Sequence, residues 1–169
     1  MEEKSNKSSL IMAEIMPPEK ENFGGHIHGG YILEVLDRVA YACAVRYCRN
    51  YCVTLFVDEV QFKEPIQVGE LVTFLASVVY TGSTSLEIGI KVESENLLTG
   101  VKRHTNSCYF MFVALDENKK PVKVPPLEVK TEEQKRRFKE AENRIKLRRK
   151  IQEEKKKIKE DKRKKSNQS

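Results

Sequence analysis

Four glycines fall within seven residues, at Gly24, Gly25, Gly29 and Gly30, and they run directly into the apolar segment 31–47. No other stretch restricts the fold of this chain as much. Glycine lets a backbone take up positive φ and lets another molecule approach it closely. Here it stands just before a helix start, whose unpaired N–H groups attract anything negative. The segment that follows holds Ile32, Leu33, Val35, Leu36, Val39, Ala40, Ala42, Cys43, Ala44 and Val45, with Asp37 the acid set deepest among them. A helix apolar almost all the way round is expected to be buried rather than laid on a surface.

The rest of the chain must supply apolar cover for that helix. Residues 10–16 form a short, weakly alternating apolar run that stops at Pro17 and Pro18, and they read as an edge strand. After the helix, residues 51–62 are rich in Val, Phe and Thr and end where Pro65 and Gly69 mark a turn. A nearly continuous apolar strand follows at 71–80, then a polar turn at 81–84. Residues 86–93 alternate strictly, the pattern of an antiparallel strand with one wet face. A turn at 96–100 leads to a long strand at 104–115. One buried helix followed by four strands on short loops has few compact solutions, and a curved antiparallel sheet wrapped around the helix satisfies all the demands. The expected class is α+β.

The order of Asn22, Gly25, Gly29 and Gly30, then Asp37 on the helix, then Val53, Thr54, Asp58, Phe62, Pro65, Ile66 and Gly69, resembles the acyl-CoA thioesterases of the hotdog fold. The resemblance is to the cytosolic long-chain (brain-type) acyl-CoA hydrolases and their single-domain bacterial relatives, and it covers roughly residues 10–126. It implies a hotdog domain that hydrolyses fatty acyl-CoA to free fatty acid and coenzyme A. It also implies pairing across sheet edges into a homodimer, with a trimer of dimers as the larger form, and no cofactor. In that family an Asp at the position of Asp37 is the catalytic acid or base, and it faces the Asn at the position of Asn22 across the dimer interface. The backbone N–H of Gly30, at the helix N-terminus, would stabilise the oxyanion. Asp37 would activate water or attack directly. Contacts to the substrate and its coenzyme A portion are expected from His28, Gly29, Thr54, Ser83, Ser85 and Arg103.

Each of these residues also has a plainer role open to it. Asn22 before glycines is an ordinary turn residue, and Asp37 could be a solvated acid where the helix meets water. His26 and His28 suggest a metal, but zinc needs three or four ligands and nothing nearby in sequence completes the set. The loop is followed by no Gly-Lys-Ser/Thr and contains no GxGxxG, so it is neither a P-loop nor a dinucleotide fingerprint. Two rival functions use the same residues. A hotdog enoyl-thioester hydratase would pair His28 with Asp37 and leave Asn22 idle. An acyl-CoA-sensing regulator would use a basic tail on nucleic acid, although no helix-turn-helix pattern is present.

The tail carries the charge. From Lys130 onward there are 18 basic and 8 acidic residues, a balance of +10, which leaves −4 on the remainder of a chain whose net charge is +6. The basic total therefore does not describe the folded part and implies no specific nucleic acid partner. Past Pro125 and Pro126, Thr131 and Gln134 read as a capping box opening a helix with Phe138, Ala141, Ile145 and Ile151 at roughly heptad spacing. Glu132 to Arg136, Glu133 to Arg137, Glu140 to Arg144, Glu142 to Lys146 and Glu153 to Lys157 are expected i,i+4 pairs. The expected organisation is a flexible N-terminus at 1–9, a hotdog domain at 10–126 and a charged helical tail at 127–169, frayed from 159 on. The four cysteines lack CxxC spacing and read as reduced core thiols. A polar start and the lack of any run of ~18 apolar residues predict a cytoplasmic protein with no membrane span.

Overall fold

The computed structural model describes residues 8–58 and 60–166, with side chains described through 160. Two compact units divide after Glu128. In the first, the elements run β1 (Ser9–Ile15), a single 3₁₀ turn at Pro18–Lys20, α1 (Gly29–Cys48), β2 (Tyr51–Val57), β3 (Leu71–Thr81), β4 (Ser85–Glu95) and β5 (Lys102–Leu115). The five strands form one sheet in the order β1-β3-β4-β5-β2, antiparallel throughout. Strands β1 and β2, which flank α1 in sequence, thus become the two sheet edges.

The core lies between the helix and the inner sheet face. Ile32, Val35, Leu36, Val39, Ala40, Cys43 and Ala44 of α1 are buried against Phe74 and Ala76 of β3, Ile88 and Ile90 of β4, and Phe110 and Phe112 of β5. Alternate residues of β3 and β5 supply this face, as the period of a pleated strand requires. Register shifts at Thr54/Phe56, Val78/Tyr80 and Val92/Glu93 interrupt three of the ladders, and such bulges increase the local twist of a strand. Tyr47, near the end of α1, donates to the carbonyls of Pro125 and Pro126 at 3.2 and 3.0 Å, which ties the segment after β5 to the helix.

Two expectations need correction here. Helix α1 is not covered all round: Gly30, Leu33, Glu34, Asp37, Arg38 and Tyr41, spaced by three and four residues, make an exposed stripe. Asp37 lies on this stripe and not in the core. Strand β2 ends at Val57, five residues short of Phe62, where regular pairing with β5 stops and isolated bonds to it continue, such as Asp58 N to Tyr109 O at 2.9 Å. Lys63 donates to Thr105 O at 2.9 Å, while Ile66 O accepts from Ile27 N at 2.8 Å in the glycine loop.

The second unit contains α2 (Glu132–Ser166). Its start is the expected capping box: Thr131 Oγ1 accepts from Gln134 N at 3.2 Å, and Gln134 Oε1 accepts from Thr131 N at 3.0 Å. The helix continues through the region expected to fray, reaching Ser166, because its Lys, Glu and Arg residues are good helix formers. Two side-chain pairs differ from expectation, with Lys135 bridging to Glu132 and Arg136 to Glu140. The expected flexible residues 1–7 lie outside the described residues, and Ser9 is already in β1. No described helix is long and apolar enough to cross a membrane.

Candidate active site

The glycine loop folds around Asn22. Its Oδ1 accepts from the N–H of Gly24 at 2.8 Å and of His26 at 3.3 Å, while its backbone N donates to His26 O at 2.7 Å. Of the loop's four glycines only Gly25 takes positive φ, at 79°. The others serve by lacking a side chain: a Cβ on Gly29 would touch the Phe62 ring at 3.4 Å, and one on Gly30 would meet His28 Nδ1 at 3.1 Å. His28 is the N-cap of α1, and its Nδ1 accepts from Gly30 N at 3.0 Å. The Gly30 N–H therefore already has an acceptor, which a ligand oxygen must replace to use it.

Beside this loop opens a cleft of about 390 Å³ lined by Asn22, His26, Gly29, Ile32 and the segment 62–66. Asn22 Oδ1 is occupied within the loop, so its amide N–H groups are what that side chain can offer to a ligand. The first turn of α1 is latched to β1 by Tyr31, whose hydroxyl donates to Glu14 and whose ring lies under Lys20 Nζ at 4.9 Å. Acceptance by Glu14, with burial adding to it, raises the Tyr31 pKa above its ordinary value.

Asp37 belongs to a different constellation. Its Oδ1 accepts from Thr54 Oγ1 of β2 at 2.9 Å, and both residues are exposed. Seven residues separate Gly30 from Asp37 on one face of α1, or about 10 Å of helix axis. A reacting carbonyl lies about 3 Å from its oxyanion donor and about 3 Å from the oxygen that attacks it, and a general base stands one water further away. At that separation Asp37 is out of range for direct attack on a carbonyl held by the Gly30 N–H of its own chain. His28 and Asp37, at the N-cap and two turns into the helix, form no dyad either.

Arg103 is committed elsewhere. Its guanidinium bridges Glu70 and Glu64, and Glu70, with a side chain only 5% exposed, also accepts from Gln67 N at 3.0 Å. Gln67 Oε1 in turn lies 3.1 Å from His26 Nδ1. A continuous polar chain thus runs from β5 through Arg103, Glu70, Gln67 and His26 to the Asn22 turn. Ser83 and Ser85 sit at the opposite end of the 11-residue strand β3, roughly 30 Å from the glycine loop within one chain. Gln67 and Glu70 escaped the sequence reading because a Gln and a Glu around a turn glycine look solvated; their partners lie 41 and 33 residues away. No group of three or more described His, Cys, Asp or Glu side chains is placed to hold a metal ion.

One helix wrapped by a curled antiparallel sheet, with a glycine loop at the helix N-terminus and an acid two turns along, defines a hotdog protein of the thioesterase class. A family model described as the thioesterase superfamily matches residues 24–101. Protein VdlD of Helicobacter pylori (strain ATCC 700392 / 26695) is 49% identical over 144 residues, 85% of this chain and 82% of that protein. The cytosolic acyl coenzyme A thioester hydrolase of Rattus norvegicus is 31% identical over 82% of this chain, which spans 36% of the rat enzyme's length. The crystal structure of an apo hexameric acyl-CoA thioesterase superposes with a TM-score of 0.82 at 36% identity, covering 85% of this chain and 92% of that one. The chain belongs to the hotdog acyl-CoA thioesterases of the thioesterase superfamily.

Proposed function

We propose that this chain hydrolyses fatty acyl-CoA to free fatty acid and coenzyme A in sites assembled from two copies, the glycine loop of one copy facing Asp37 of the other. The exposed apolar edge beside Asp37 carries this reading, and the ~10 Å of helix axis between Gly30 and Asp37 of one chain agrees with it. The surface beside Asp37 suits a second copy. Strand β2 is a sheet edge with unpaired backbone groups, and Tyr51, Leu55 (64% exposed) and Val57 expose apolar side chains along it. Leu33 and Tyr41 of α1 continue that patch, with Tyr41 edge-on to Tyr51 at 6.2 Å. Edge-to-edge pairing of β2 with a second β2 satisfies the backbone and covers the patch together. The hexameric relative is consistent with a trimer of such dimers.

In this mechanism the acyl chain occupies the cleft below Phe62, and the thioester oxygen takes the place of His28 Nδ1 on the Gly30 N–H. The dipole of α1 and that N–H stabilise the oxyanion as it forms. Asp37 of the second copy, held by its Thr54, takes a proton from water as the water oxygen bonds to the carbonyl carbon. Collapse of the tetrahedral intermediate breaks the carbon–sulfur bond, and the proton passes to the departing coenzyme A thiolate. The Asn22 amide positions the water or the thioester. The name of the rat relative and the lack of a CxxC disulfide framework favour the cytoplasm as the compartment.

The test is release of coenzyme A from a saturated acyl-CoA, read with a thiol reagent, which a hydratase or a non-catalytic regulator cannot give. Asp37→Asn keeps shape and hydrogen bonding but cannot accept a proton, so turnover is expected to fall ~10²-fold or more with little change in substrate affinity. Asn22→Ala and Asp37→Ala should each be nearly inactive alone, while mixed dimers recover one intact site per pair. Verified mixed dimers without recovery would refute the shared site.

A further inference from the structure

The remaining cysteine chemistry is concentrated at one turn. Cys48 is the last residue of α1 and Cys52 lies at the start of β2; Arg49 between them takes a left-handed conformation at φ 57°, ψ 29° that reverses the chain. The reversal brings the two sulfurs to 3.3 Å, and each lies 3.6 Å from Asn50 O. Asn50 Nδ2 donates to Cys48 O at 2.8 Å and closes the turn. A disulfide bond is about 2.05 Å long, so bonding requires an approach of roughly 1.3 Å, which an exposed turn at Arg49 and Tyr51 can absorb. Cys43 and Cys108 sit in the core with no sulfur partner shown, and burial pushes their thiols up to about 11 and about 12.

We propose that Cys48 and Cys52 form a reactive dithiol that hydrogen peroxide converts reversibly to an intramolecular disulfide. Sharing one proton between two sulfurs 3.3 Å apart eases the first ionisation of the pair and hinders the second. Cys48, the more exposed of the two at 4% against 1%, is assigned as the attacking sulfur and Cys52 as the resolving one. The Cys48 thiolate bonds to one peroxide oxygen, the O–O bond breaks, and the departing hydroxide leaves as water with a proton, giving a sulfenic acid on Cys48. The Cys52 sulfur then bonds to the Cys48 sulfur, the S–O bond breaks, and a second water leaves. In sum the two thiols lose two protons and two electrons, and the peroxide is reduced to two waters. A cellular dithiol restores the pair by exchange. Cys48 is 4% and Cys52 1% exposed, so the peroxide must reach them through movement of the exposed turn at Arg49.

This site is independent of the hydrolase reading, and its test does not use turnover. The purified full-length protein is treated with hydrogen peroxide, quenched in acid, unfolded, alkylated and weighed. The expected product has lost two hydrogens and leaves two of its four cysteines unalkylated. Arg49 lies between the pair, so tryptic digestion should yield the peptides 47–49 and 50–63 joined by a bond that dithiothreitol breaks. With dimedone added together with denaturant after peroxide treatment, an adduct is expected on Cys48 in Cys52→Ser and none on position 52 in Cys48→Ser. Four alkylatable thiols after treatment would overturn the proposal. So would a disulfide through Cys43, Cys108 or a second chain, or a sulfenic acid on Cys52 in preference to Cys48. The wild-type digest decides the matter even if either serine variant folds poorly.

Discussion

Replacing Arg103 by Met separates two readings of that residue. As a ligand for coenzyme A phosphates, Arg103 would contribute to substrate binding and little to stability. As the clasp between β5 and the segment 64–70, it would do the reverse. The structure favours the second. Arg103 is 27% exposed and Glu70 5% exposed, so the pair is largely withdrawn from water, whereas Glu64 is half exposed at 3.5 Å. Removing one partner of a buried ion pair costs ~3–5 kcal/mol because the other charge is left without compensation. Here Gln67 N still donates to Glu70, and water can reach the vacated position, so about 2–3 kcal/mol is the better figure. The outer bridge to Glu64 adds at most about 0.5 kcal/mol.

For a chain of this size each kcal/mol moves the melting temperature by about 2–4 °C, so Arg103→Met should melt roughly 4–12 °C below wild type. Urea denaturation at one fixed protein concentration gives the free energy, with concentration held constant because assembly contributes to apparent stability. Adding Glu70→Gln removes the stranded charge, so the double variant should recover stability, with a coupling of about 1–2 kcal/mol in the cycle. The KM for acyl-CoA should change by less than about threefold. If Arg103→Met lies within about 0.5 kcal/mol of wild type while KM rises tenfold, the clasp is wrong and the residue binds substrate.

Three further outcomes are expected. Thr54→Val, which removes the hydroxyl held at 2.9 Å on Asp37, should lower turnover about tenfold, whereas Thr54→Ser should keep it; equal losses in both would mean the hydroxyl is not the working group. Gly30→Ala sets a methyl 3.1 Å from His28 Nδ1, so its N-cap should weaken by ~1 kcal/mol in urea unfolding and turnover should fall as well; an unchanged enzyme would remove the need for glycine there. A chain ending at Lys150 should retain turnover to within about tenfold, and a larger loss would give α2 a part in the chemistry.

The strands were legible where one chain supplies both faces of the pattern. Strand β4 alternates Leu86, Ile88, Ile90 and Val92 toward the helix over Ser85–Glu95, but the wet face expected opposite them is open only from Lys91 on, because Glu87 and Gly89 are buried. The end of β2 was not legible, because Val60 and Phe62 continue an apolar run while the backbone there bonds to Thr105 and Ile27, partners that local sequence does not reveal. The loop itself, with Asn22 and the glycines as candidates for the site, was visible in the sequence. Its support was not, since Gln67 and Glu70 acquire their meaning only from His26 and Arg103.

The exposed stripe of α1 is the most informative departure. Leu33 and Tyr41 are apolar residues of a helix that reads as buried, yet one chain leaves them open, together with Tyr51 and Leu55 on the neighbouring strand. The sequence pattern records which surfaces are to be buried without recording by what, so a helix that buries three sides in its own chain and one against a second copy reads the same as a fully internal one. Asp37 and Thr54 lie within that fourth side. Under the proposed pairing the exposed carboxylate becomes part of a partly dry site opposite the glycine loop of the second copy. The apolar surplus on α1 and the 10 Å gap along it then have a common cause.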